Sequence, residues 1–209
     1  MGGASMANAI TLFRIPVLVG ILLLLYFGNT AARFACVPLL IFLILMDTLD
    51  GIVARRRRET SLLGSTLDIA VDRAVEMVLW VAFADLDLIP LAIPVIVIIR
   101  GALVDAFRSV GVQAGVRPFD MVRAGWARKL VASPALRTPY GVVKGVAFSL
   151  LAFTLAMQET SHTAGAHWAW VLSQAASWLA VALCLLRGIP VLVDSWPLLA
   201  SRSQGDKAP

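Results

Sequence analysis

Six apolar runs, each close to the ~20 residues that carry an α-helix across a bilayer, constrain this chain more than any other feature. The predicted spans are 8–27, 32–54, 64–84, 88–112, 139–157 and 167–193. The gaps between them are short, so they read as one bundle and not as separate domains. With 59% hydrophobic residues, 15% charged and a mean hydropathy of +0.84, the chain is too apolar for a soluble domain. The expected fold is an all-α integral membrane protein: six transmembrane helices within residues 1–197, followed by a polar tail at 198–209.

The distribution of charge agrees with a membrane and argues against nucleic acid as the partner of a +5 chain. Arg55, Arg56, Arg57 and Arg58 share one connection, and Arg117, Arg123, Arg128, Lys129 and Arg137 share another. In a six-span topology both fall on one side. The opposite connections hold little beyond Arg33, Asp85, Asp87 and Glu159. The positive-inside rule places the basic connections, and both termini, in the cytoplasm. Met121, Val122, Trp126, Leu130 and Val131 alternate with basic residues, which predicts an amphipathic helix on the inner leaflet within 113–138. Pro94 is expected to bend the fourth span. Arg14 reads as a side chain snorkelling to the interface. An alternative for the N-terminus is a signal peptide, with cleavage near Ala31 or Ala32. Cys36 and Cys184 lie inside apolar runs and read as buried thiols, and His162 and His167 as exposed residues.

Four carboxylates break the apolar pattern. Asp47 and Asp50 close the second run, and Asp68 and Asp72 lie in the opening of the third. Acids at membrane depth are costly and usually line a polar cavity with a function. Asp47 and Asp50 are spaced i, i+3, and Asp68 and Asp72 i, i+4, so each pair shares a helix face. Gly51 and Gly64 permit close approach of two helices and a ligand. Arg55, one turn past Gly51, is placed to meet a phosphate. Hard oxygen donors of this kind suit Mg²⁺ or Mn²⁺, and four ionised carboxylates balance roughly two such ions. The plainer reading, structural ion pairs with the neighbouring arginines, accounts poorly for four Asps at fixed offsets from two glycines and an Ala-Arg.

The stretch Asp47-Thr-Leu-Asp50-Gly51-Ile-Val-Ala54-Arg55, then Gly64-Ser-Thr-Leu-Asp68-Ile-Ala-Val-Asp72, resembles the signature of the CDP-alcohol phosphotransferases. The opening Asn8-Ala-Ile-Thr11-Leu-Phe-Arg14 is similar to that of the family's bacterial phosphatidyl transferases. The resemblance covers roughly residues 8–150. It implies a multi-pass enzyme of the bacterial cytoplasmic membrane, with its active site in a polar cavity facing the cytoplasm. The implied reaction moves a phosphatidyl group from CDP-diacylglycerol to an alcohol with release of CMP. By the same resemblance Asp47, Asp50, Asp68 and Asp72 hold two divalent metals, which neutralise the pyrophosphate and stabilise the CMP leaving group. Asp72 is the implied base for the acceptor hydroxyl, and Asn8, Thr11, Gly51, Ala54, Arg55 and Gly64 contact CDP. A homodimer is also implied.

For the acceptor, Arg100-Gly-Ala-Leu-Val-Asp105-Ala-Phe-Arg108 is similar to an Arg-Glu-x3-Ser-Gly-Leu-Arg segment of the phosphatidylglycerophosphate synthases, with Gly101 and Asp105 departing from it. Gly141-Val-Val-Lys144 keeps the Gly and second Lys of their Gly-Lys-x-Lys stretch. Arg100, Arg108 and Lys144 are therefore candidates to clamp a phosphorylated small alcohol, glycerol 3-phosphate first. Asp72-Arg73 looks more like the inositol-type branch, so inositol phosphate, inositol, serine or another alcohol stay open. A reading from another class is a transporter using intramembrane acids. The absence of matching polar residues in the outer half, and of an inverted repeat, weighs against it.

Overall fold

The computed structural model of the chain describes residues 6–57, 62–113, 134–160 and 164–205. Among them run six α-helices: α1 (Met6–Phe27), α2 (Thr30–Arg57), α3 (Leu62–Asp85), α4 (Ala92–Gln113), α5 (Pro134–Thr160) and α6 (Ala164–Gly205). Each coincides with one predicted span and most run past it. α5 starts at Pro134, inside the connection expected to lie on the inner leaflet; residues 114–133 of that connection lie outside the described residues. Pro94 occupies the first turn of α4 and not its middle. A first-turn N–H has no intrahelical partner to lose, so the expected bend has no cause there.

Local chemistry sets the helix ends. Asn29 caps α2: its side-chain oxygen accepts from the Ala32 N–H at 2.9 Å, and its carbonyl accepts from Arg33 at 3.0 Å. α3 ends in a Schellman turn, with Leu88 N–H on Phe83 O at 3.0 Å and Asp87 N–H on Ala84 O at 3.1 Å. That turn puts Asp87 at a φ of 58°, a left-handed position Asp tolerates better than most residues. It also delays the next helix to Ala92, later than the apolar run begins.

Four helical segments are long and apolar enough to cross a membrane: Asn8–Phe27, Thr30–Asp47, Pro139–Thr160 and Ala164–Ile189. Their outward residues, such as Phe13, Val19, Leu23, Phe42 and Leu45, are as apolar as their cores, the mark of helices bounded by hydrocarbon instead of water. α3 and α4 are more charged, since α3 carries Asp68, Asp72, Arg73 and Glu76 in close succession and α4 carries Arg100, Asp105 and Arg108.

The chain divides into two units. The first comprises Met1–Pro94 and Gly145–Ser177. Its core is built on Phe148 of α5, whose ring meets Trp80 edge-on at 4.7 Å and stacks on Phe83 at 5.9 Å, both from α3. Gly145 lets α5 approach α2 so closely that an added Cβ would lie 2.9 Å from the Ile44 side chain. Past the C-terminal end of α1, Arg33 pairs with Glu159 at 2.7 Å and the Thr30 hydroxyl donates to the same carboxylate at 2.9 Å. Tyr26 donates to Asp85 at 2.7 Å, tying α1 to α3. The second unit comprises Val95–Lys144 and Trp178–Pro209. There Val104 of α4 and Ala180, Val181 and Cys184 of α6 are buried.

Candidate active site

In the first unit α1 packs against both α2 and α3. Arg14 of α1 thereby meets the helices that bear the carboxylates, with Thr11 one turn before it. Thr11 and Arg14 are buried, 3% and 2% exposed, and Asn8 is partly so. Arg14 does not snorkel. Its guanidinium donates from one terminal nitrogen to Asp47 Oδ1 at 2.6 Å and holds Asp68 Oδ1 at 4.0 Å from the same nitrogen. The other terminal nitrogen stands 3.6 Å from Asp72 Oδ1. Arg14 Nε is buried with no hydrogen-bond partner among the described residues.

Three of the four sequence-predicted acids are thus brought to one point, from two helices and onto a third. Their side chains remain 41% (Asp47), 47% (Asp68) and 41% (Asp72) exposed, so the cluster opens outward from a buried cation. Gly64 is partly buried one turn before Asp68, and Glu76, one turn beyond Asp72, is buried at 2% exposure. The backbone of Asp50, Gly51, Ala54 and Arg55 is helical within α2, but their side chains lie outside the described residues.

Whether these residues suit a divalent metal turns on donor type and arrangement. The donors are carboxylate oxygens, the ligands Mg²⁺ and Mn²⁺ prefer. As they stand, no three His, Cys, Asp or Glu among the described residues are arranged to hold a metal ion. Asp47, Asp68 and Asp72 stand around the Arg14 guanidinium, and the side chain of Asp50, the fourth acid of the motif, lies outside the described residues. In chemistry the set fits a hard cation; in its present arrangement it holds Arg14.

The candidate acceptor residues belong to the second unit. Arg100 is buried at 9% exposure, and its Nε has no hydrogen-bond partner among the described residues. The side chain packs against the backbone of Gly188, where an added Cβ would overlap Arg100 Nε. Lys144 Nζ stands 5.6 Å from the centroid of the buried Tyr140 ring, and Arg187 Cζ stands at the same distance from it. Arg108 has a described backbone only. Sequence reasoning missed Arg187, although a cation interrupting the apolar run of α6 is itself a signal.

The family model described as CDP-alcohol phosphatidyltransferase matches residues 4–201, nearly the whole chain. No curated protein matches it.

Proposed function

The chain belongs to the CDP-alcohol phosphatidyltransferase family and so transfers a phosphatidyl group from a CDP-alcohol to an alcohol; from that premise we propose that it is a phosphatidylglycerophosphate synthase. On this reading the donor is CDP-diacylglycerol, the acceptor is glycerol 3-phosphate, and the enzyme spans a bacterial cytoplasmic membrane six times with its active site facing the cytoplasm. The observation that carries the catalytic half is the convergence of Asp47, Asp68 and Asp72 on one point.

Asp47, Asp50, Asp68 and Asp72 are proposed to hold two divalent metals, Mg²⁺ or Mn²⁺. Bound there, the ions supply charge neutralisation for the pyrophosphate and for departing CMP. Asp72 accepts the proton of the acceptor hydroxyl as that oxygen attacks phosphorus. A carboxylate that also binds metal is a weak base, so positioning by the helices provides much of the acceleration. Asn8, Thr11, Gly51, Ala54, Arg55 and Gly64 are proposed to contact CDP, with Arg55 meeting phosphate.

The acceptor assignment rests on charge. Arg100 and Lys144 share their unit with Arg187, which lies over the same Tyr140 ring as Lys144, and Arg108 adds a fourth cation on α4. So much positive charge suits an acceptor that already bears a phosphate. Inositol phosphate is the second reading, favoured by Asp72-Arg73. Incubating the purified protein with CDP-diacylglycerol and an acceptor panel, and scoring CMP release, tests the choice. Glycerol 3-phosphate should outcompete glycerol, serine and free inositol. Removing one charge-assisted contact typically costs about 1.5–3 kcal/mol, so Arg100→Ala should raise the acceptor KM roughly 10- to 100-fold with little effect on donor binding. A preference for an uncharged alcohol, untouched by Arg100→Ala, would remove the assignment.

A further inference from the structure

We propose that Arg14 is the Asp motif's own counter-cation, holding Asp47, Asp68 and Asp72 together before metal binds and competing with divalent metal for the same oxygens. The inference rests on the metal-binding reading of the motif given above.

A guanidinium is always charged, and burying one is costly unless it is paired. Arg14 is 2% exposed, and its acidic neighbours are the carboxylates of the motif. One terminal nitrogen donates to Asp47 on α2 at 2.6 Å, the other faces Asp72 on α3 at 3.6 Å, Asp68 lies at 4.0 Å, and Nε has no hydrogen-bond partner among the described residues. One planar cation thereby joins the acidic faces of two helices that would otherwise repel. The three carboxylates together carry a formal charge of −3, which Arg14 reduces to −2.

The same placement sets a conflict. The 2.6 Å contact commits Asp47 Oδ1 to Arg14. An ion that draws on this oxygen, or on those of Asp68 and Asp72, approaches within a few ångströms of the guanidinium and is repelled by it. Metal binding therefore requires Arg14 to yield part of its hold, and Arg14 weakens metal affinity in exchange for a motif that stays assembled when empty. A residue serving only as a structural pin would affect stability to the same extent with and without metal.

The test uses the full-length protein in detergent or nanodiscs, with Mn²⁺ as probe, its free concentration followed by electron paramagnetic resonance and unfolding by thermal scan. Arg14→Gln should bind Mn²⁺ about tenfold more tightly, since an opposing unit charge at this range is worth one or more decades in affinity. Its midpoint without metal should fall, and the upshift on adding Mn²⁺ should exceed that of the wild type. Unchanged or weaker Mn²⁺ affinity, with a midpoint lowered equally in both conditions, overturns the proposal. Should Arg14→Gln fail to fold, Arg14→Lys serves instead. Because the ammonium keeps the unit charge, Mn²⁺ affinity should stay close to that of the wild type, and a tightening as large as that expected of Arg14→Gln overturns the proposal. Asp68→Asn, and wild type without mutation, separate the two readings. If wild type binds no Mn²⁺ in a manner sensitive to Asp68→Asn, the metal reading falls and the counter-cation falls with it. If wild type binds and Arg14→Gln changes nothing, the counter-cation alone falls.

Discussion

Asp72→Asn should lower turnover by about three orders of magnitude while leaving CDP-diacylglycerol bound, the signature of a lost proton acceptor. Asparagine keeps the size of the side chain and an oxygen that can still face Arg14, which stands 3.6 Å from Asp72. What it lacks is the basicity to take a proton from the acceptor hydroxyl. Equilibrium donor binding measured beside single-turnover CMP release separates these effects. Asp68→Asn is the informative neighbour: it sits one turn earlier on the same face of α3, and its loss should weaken metal and donor binding as well as turnover. Near wild-type turnover in Asp72→Asn would transfer the base to another group.

Chelation should be equally severe. EDTA is expected to reduce CMP release to background, with Mg²⁺ or Mn²⁺ restoring it. The carboxylates alone present an anionic surface to an anionic pyrophosphate, and Arg14 offsets only part of that charge. Full turnover in chelator, with metal content verified, would end the two-metal reading and leave Arg14 as the principal cation of the site.

The helices were legible because their causes are local. Apolar runs of bilayer length, with Asn29 capping one helix and the turn around Asp87 stopping another, can be read along the chain. The placing of Asp68 and Asp72 together was legible for the same reason, since i, i+4 spacing puts that pair on one face without knowledge of the rest. Arg14 was not. A lone Arg near the start of a span has no partner at helical spacing, and its partners at 47, 68 and 72 lie on other helices. Snorkelling is the ordinary fate of such a residue, and only tertiary packing reverses it. Arg187 escaped for a related reason: its meeting with Tyr140 joins α5 and α6 across a long stretch of sequence. Pro94 falls in the first turn because the apolar run starts before the helix does, and a proline's effect depends on that place.

On the proposal that Arg100 holds the acceptor, its contact with Gly188 would make a main-chain position into a lever on specificity. A methyl group at 188 would fall on Arg100 Nε and close to its Cγ and Cδ, at 2.9 and 3.1 Å for the latter two. All three atoms belong to the Arg100 side chain, which has to shift from its stem outward to make room. Gly188→Ala would therefore retain every charge of the wild type and alter only where one of them points. Its expected result is a raised acceptor KM with little change in donor binding, read by the same CMP-release assay. If bulk positive charge sufficed to recruit the acceptor, that substitution would be silent, whereas an oriented contact makes it audible. Selectivity among phosphorylated alcohols would then be adjustable at a residue with no side chain of its own.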